Sequence, residues 1–195
     1  MQSGPVLAPT SALLVIDAQR AFTAGPDWPP RLARIAAAAA AFRAVGAPVV
    51  FTQEVHRAGG FDFGRELDGA EGPHCLEGDP DTELALDPAP GDHLLVKRRY
   101  SCFYNTDLEI LLRALGVGTL VLAGALTDVC VHYTAVDAHQ RDFVVRVLTD
   151  CVAGSGPAAH EAALCAITYL QRDALLTSAA LPAPLAPPVP AGVGG

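Results

Sequence analysis

Lysine is nearly missing from this chain: of 13 lysines and arginines, only Lys97 is a lysine. Charge of either sign is sparse at 17% of residues, and the basic residues form no block. With a formal net charge of -8, the chain repels a phosphate backbone, which argues against a nucleic-acid partner. No apolar run approaches the ~20 residues that span a bilayer, so no membrane role is expected. The first residues lack the basic start and continuous apolar run of a secretory leader, and Asp17 interrupts the only early hydrophobic stretch, so a soluble cytoplasmic protein is expected. The cysteines, Cys75, Cys102, Cys130, Cys151 and Cys165, are odd in number and contain no CxxC pair, which excludes a zinc-finger spacing and disfavours a disulfide framework. Unpaired cysteines are usually buried apolar residues, so a reactive one must be argued for separately.

What the sequence does have is a hydrophobic content of 51% in 195 residues, enough for one well-buried domain. Residues 12–16 (ALLVI) form a short continuous apolar run, the pattern of a strand buried on both faces, and the run stops at Asp17. Gly25, Pro26, Pro29 and Pro30 mark a loop, and the Ala-rich stretch 31–45 predicts a helix stopped by Gly46. Further strands are predicted at 48–52, 93–96, 119–123, 143–148 and 174–177. Helices are predicted at 106–115, 128–139 and 157–169. Residues 54–90, rich in Gly, Asp, Glu and Pro, are too many for a tight connection and predict a functional excursion. The alternation predicts a doubly wound α/β domain, a parallel sheet with helices on both faces, over residues 1–181. Residues 182–195, with five prolines, form a Pro/Gly-rich tail expected to be extended, mobile or laid on a neighbouring subunit.

In open parallel sheets the ligand crevice lies beyond the carboxyl ends of the strands. Asp17 directly follows the first predicted strand, Lys97 the third, and Cys130 lies a few residues after the fourth. Asp17 alone reads equally as a turn or capping residue. The Ala, Arg, Gly and Pro bias resembles GC-rich coding that replaces lysine, so the one retained lysine points to a place where a compact ammonium is needed and a planar guanidinium will not serve. Gly124, Thr127 and Asp128 precede Cys130 in the manner of a helix start, where free N–H groups and the helix dipole favour a thiolate.

These residues fall within a family pattern. LLVIDAQRAF, with Asp17, Gln19 and Phe22, resembles the first signature of the isochorismatase-like cysteine hydrolases. The segment VKRRYSCFYNTDLEILLRALGVGTLVLAGALTDVCVHYTAVDA resembles the remainder, and the similarity runs over roughly residues 11–177. The resemblance implies a six-stranded parallel sheet and a catalytic triad of Cys130, Asp17 and Lys97. It also implies a cis peptide at Ala125–Leu126 that aims the N–H groups of Leu126 and Cys130 at an oxyanion. The implied reaction is thiol attack on a carbonyl with Asp17 as proton carrier, through a thioester, releasing ammonia or an amine.

Nicotinamidases of that superfamily carry an Asp-x-His element and further histidines that hold a metal. Here the stretch is TQEVHR, with Glu54 and His56, which is more similar to the EGHR element of biuret-hydrolase and ureidoacrylate-type relatives. Glu54, His56 and His74 read as surface or substrate-contact residues before metal ligands, so neither a metal nor another cofactor is expected. Phe22, Trp28, Glu54, His56 and Tyr133 are candidates for lining the substrate pocket, although Phe22 suits a core position and Trp28 a loop anchor equally. Tyr104 and Asn105 replace the small residues often found in the corresponding stretch. The expected substrate is a small amide or ureido compound, and a homodimer or homotetramer is implied by the relatives. Three rival readings remain: an isochorismatase-type vinyl ether hydrolase, which needs no thiol; a noncatalytic binding protein on the same fold; and a thiol redox sensor.

Overall fold

A computed structural model describes residues 10–69 and 71–182. The predicted tail therefore lies almost wholly outside the described residues. The six strands are β1 (Ser11–Ile16), β2 (Val49–Glu54), β3 (His93–Lys97), β4 (Thr119–Ala125), β5 (Val144–Ala153) and β6 (Leu175–Leu176). They form one sheet in the order β3-β2-β1-β4-β5-β6, and every pairing is parallel. The order reverses beside β1, so the crevice opens over the carboxyl ends of β1 and β4.

Both faces of the sheet are covered, as an all-parallel sheet requires. Strand residues alternate between faces. Leu13 and Val15 pack with Val49, Phe51, Ile35 and Phe42 beneath helix α1 (Trp28–Ala44). Ala12, Leu14 and Ile16 pack on the opposite face with residues of three helices: Leu108 and Leu112 of α2 (Leu108–Ala114), Ala135 of α3 (His132–Gln140), and Leu164 and Ile167 of α4 (Pro157–Leu170). Among the described residues no helix is long and apolar enough to cross a membrane.

Several boundaries differ from the sequence expectation. Helix α1 begins at Trp28 and takes in Pro29 and Pro30, because first-turn residues have no intrahelical acceptor for an N–H and proline loses nothing there. Strand β5 runs on to Ala153 through the polar Thr149 and Asp150. Its register against β4 shifts between Leu122 and Gly124, and the irregularity hides the strand from an apolar-run criterion. The single helix expected at 128–139 is two pieces, a π-helical turn at Thr127–Val131 followed by α3. Gly124 is obligatory, since its φ is +112° and a Cβ there would stand 1.9 Å from the Ile16 carbonyl oxygen. Its absent side chain lets β4 lie close against the end of β1.

Candidate active site

Strand alternation delivers the polar groups to one place. On β2, Val50, Thr52 and Glu54 share a face, and on β3 Leu95 and Lys97 point the same way. Glu54 and Lys97 are register partners across β2 and β3. Asp17 follows β1 with φ +43°, a left-handed turn that carries the chain out of the sheet. Its amide donates to Thr52 Oγ1 at 3.1 Å, and the same hydroxyl donates to Asp17 Oδ1 at 2.8 Å. Cys130 arrives from above, on the π-helical turn.

Lys97 Nζ is the hub. It lies 2.7 Å from Asp17 Oδ2, a close ion contact that is not an aligned hydrogen bond. It donates to Glu54 Oε2 at 2.7 Å, to the Arg99 carbonyl at 2.9 Å and to Cys130 Sγ at 3.5 Å. The Cys130 thiol is 3.7 Å from Glu54 Oε2. Asp17 and Lys97 are buried throughout, and Cys130 is 5% exposed. The sheet edge thus brings Asp17, Lys97 and Cys130 together, with a second carboxylate among them.

Burial and charge divide the protons. Burial raises the Asp17 pKa, with Lys97 opposing and Glu54 reinforcing the rise. Burial also pushes Glu54 up, but Lys97 and the hydrogen bonds of His56 and His74 outweigh it and hold Glu54 well below the ordinary carboxylate value. Burial of Lys97 works against its charge, yet Asp17, Cys130 and Glu54 hold it protonated. For Cys130, burial and the two carboxylates outweigh the ammonium, so its pKa rises well above the usual thiol value. The expected lowering of the Cys130 pKa by a helix start and the ammonium is thus outweighed, because Cys130 sits buried in a π-helical turn beside two carboxylates.

The remaining sequence candidates divide. Phe22 and Glu54 line the small cavity against Cys130, together with Leu126, and the Ala125–Leu126 peptide is cis. His56 lies behind Glu54 and off that wall: it is fully buried, its Nε2 is 3.3 Å from Glu54 Oε1, and its ring stacks on Phe63 at 3.9 Å. Trp28 packs in the α1-side core with Leu13 and Val15, across the sheet from the thiol. Tyr133 is half exposed and lines a separate, larger cavity. Sequence reading missed Glu71 and Tyr100, which complete the wall beside Cys130, and the burial of His74 against Glu54. All lie in or beside connections whose path carries no periodic signal. Gln19 clamps the end of β2: its Nε2 donates to the Glu54 and Thr82 carbonyls, both at 2.9 Å, and its Oε1 accepts the Glu54 N–H at 2.7 Å.

Glu54, His56 and His74 bring potential ligand atoms within 4.8 Å of one another, as do Asp17, Glu54 and Cys130. The first set does not fit a metal as it stands. His74 Nε2 lies 2.8 Å from Glu54 Oε1 and its Nδ1 2.8 Å from the Gly72 carbonyl, so both ring nitrogens act as donors. The bond to Glu54, against the effect of burial, raises the His74 pKa to about 9. Both oxygens of Glu54 are thus engaged by protein donors, Oε1 by His74 and Oε2 by Lys97.

A thiol, an ammonium and a buried carboxylate at the switch point of an all-parallel, doubly wound sheet define the class: a Rossmann-like α/β protein with an enzyme-like polar centre. The chain belongs to the Isochorismatase domain family, whose model matches residues 11–180. It is 37% identical over 185 residues to the ureidoacrylate amidohydrolase RutB of Methylobacterium radiotolerans, a match covering 80% of this chain and 72% of that protein. Among solved structures, a cysteine hydrolase from Pseudomonas syringae pv. phaseolicola 1448A superposes with a TM-score of 0.80 at 29% identity, covering 91% of this chain and 92% of the other. N-carbamoylsarcosine amidase from Thermoplasma acidophilum gives 0.74 at 31% identity, with 87% and 96% covered.

Proposed function

We propose that this chain is an amidohydrolase that cleaves a non-peptide C–N bond of a small amide or ureido compound, with Cys130 as nucleophile. The observation that carries the reading is one ammonium, Lys97, placed 2.7 Å from Asp17 and 3.5 Å from the Cys130 sulfur. The ureidoacrylate and carbamoylsarcosine activities in the names of its relatives support a ureido or carbamoyl substrate.

Burial and two carboxylates favour the neutral thiol of Cys130, so substrate arrival and proton transfer go together. Asp17, whose raised pKa makes it the stronger base of the two carboxylates, takes the Cys130 proton as sulfur forms its bond to the carbonyl carbon. Lys97 offsets the negative charge now held by sulfur. The tetrahedral oxyanion accepts from the N–H groups of Leu126 and Cys130. The C–N bond then breaks, the amine leaves with the proton from Asp17, and a thioester remains. Asp17 takes a proton from water, whose oxygen bonds to the thioester carbonyl carbon; the C–S bond breaks, the acid leaves, and Asp17 returns the proton to sulfur.

Ammonia release across a panel of primary amides and ureido acids tests this, with Cys130→Ala as the control. The variant should lose at least ~10³-fold in kcat, and undiminished turnover would remove the nucleophile from the reading. The same reading places the enzyme in the cytoplasm, in keeping with five cysteines free of disulfides, and takes it as a homodimer or homotetramer. Light scattering on the purified chain checks the latter.

A further inference from the structure

Two cavities meet at one side chain. The space against Cys130 amounts to about 10 Å³, room for a single water. Beside it lies a cavity of about 530 Å³ walled by Phe63, Tyr104 and Tyr133. Tyr100 lines both. Its ring stacks on Tyr133 with centroids 5.7 Å apart and planes 21° from parallel. Its hydroxyl donates to Glu71 Oε2 at 3.3 Å, and Glu71 is itself part of the wall beside Cys130.

We propose that Tyr100, tethered by Glu71, is a specificity-determining partition between the space at Cys130 and a distal aromatic subsite that receives the acyl end of longer amides. The proposal rests on Cys130 being the nucleophile. The walls of the larger cavity say which acyl ends suit it. Its inner charged groups have protein partners: Asp137 pairs with Arg141 at 3.0 Å and Arg99 donates to the Asp62 carbonyl at 2.7 Å, whereas Arg65 stands in solvent at the rim, paired only with the exposed Asp68. What remains for a ligand is aromatic surface, which favours planar, unsaturated or aromatic groups. Glu66 adds one acceptor. It is buried to 8% exposure at the edge of this cavity, and its carboxylate oxygens make no hydrogen bond among the described residues, only longer contacts with Arg99 Nε at 3.8 Å and His56 Nε2 at 3.6 Å. A planar acyl end bearing an N–H donor, such as a ureido or aminoaryl group, satisfies both features. With Tyr100 in place the reacting carbonyl carries a short substituent, and with the ring gone the two spaces join.

Alkylation of Cys130 reads the partition without any turnover. Iodoacetamide and its N-phenyl derivative are compared by mass spectrometry of the Cys130 peptide, and the exposed Cys165 in the same chain supplies the reference for intrinsic reactivity. Tyr100→Ala should raise the N-phenyl to iodoacetamide rate ratio about ten-fold over the unsubstituted protein, and Tyr100→Leu should move it the same way if the alanine variant unfolds. Adding Tyr133→Trp, which narrows only the distal cavity, should reverse at least about half of that gain. A ratio within about two-fold of the unsubstituted protein in both Tyr100 variants overturns the partition, and a gain untouched by Tyr133→Trp overturns the distal subsite. If no amide is turned over yet the ratio moves, the amidohydrolase reading fails alone. A static ratio with ammonia released fails the partition alone.

Discussion

Lys97 is the residue on which the candidate site turns. Its ammonium meets two carboxylates, a carbonyl and a sulfur in a deeply buried volume. A guanidinium is larger and planar, so Lys97→Arg should keep the circular dichroism spectrum but lower kcat/KM by ~100-fold or more, and full activity would refute the reading of a solitary lysine. Lys97→Met leaves Asp17 and Glu54 facing each other without a counter-charge and should cost about 3–5 kcal/mol in urea unfolding. The acid limb of kcat/KM follows from Asp17. Its carboxylate must be ionised to accept a proton, and burial lifts its pKa above the ordinary 3.8, so activity falls as pH drops through a value above 3.8. A limb centred at or below 3.8 would remove Asp17 as the base. Asp17, Lys97 and Cys130 were legible because each sits at or within a few residues of the end of a strand that an apolar run reveals. Glu54 was legible only as a pocket candidate. Its pairing with Lys97 depends on the β2–β3 register, which a long aperiodic connection conceals.

At the scale of elements, the sequence gives away strands and helices by their apolar runs and hides what depends on pairing. Strands β1 to β4 lie within two residues of expectation, whereas β5 extends five residues further because Thr149 and Asp150 are polar and its register breaks opposite Gly124. The π-helical turn carries no compositional mark that separates it from α3. Trp28 and His56 were read as pocket residues, but an aromatic at a helix start serves the core, and a histidine two residues beyond a strand-end glutamate falls behind it. One joint between elements yields a prediction. Arg43, in the last turn of α1, donates through Nε to Asp92 Oδ1 at 3.0 Å, just before β3, and the Ala89 N–H donates to Asp92 Oδ2 at 2.8 Å. Burial raises the Asp92 pKa, but these bonds lower it more, to a net value below 3.8. Because the folded pKa is depressed, the stabilisation is complete above the unfolded pKa and is lost as pH falls through the lower, folded one. Asp92→Asn should therefore cost about 1–2 kcal/mol at pH 7, discounted for the partly exposed arginine, and progressively less as pH falls below 3.8, as read from urea midpoints. An equal cost at both pH values would show that the carboxylate charge contributes nothing.

For the whole molecule, the fold was legible nearly complete, since β/α alternation with one short apolar run per strand admits few topologies. The size of the cavities was not, because it depends on how residues 54–90 fold back over the sheet, and nothing in their composition dictates that path.

Four neighbouring strands, β3, β2, β1 and β4, each end on or lead into a group of the candidate site, and their backbone ladders set the frame on which those groups are spaced. A slip of one residue in any ladder would turn its group to the far side. Chemistry and architecture are thus a single cooperative unit, and partial competence in a loosened but collapsed chain is ruled out by geometry. On heating, loss of ammonia release should superimpose on loss of ellipticity at 222 nm. Activity that vanishes well before the ellipticity would show that the reacting groups are assembled by something more fragile than the sheet.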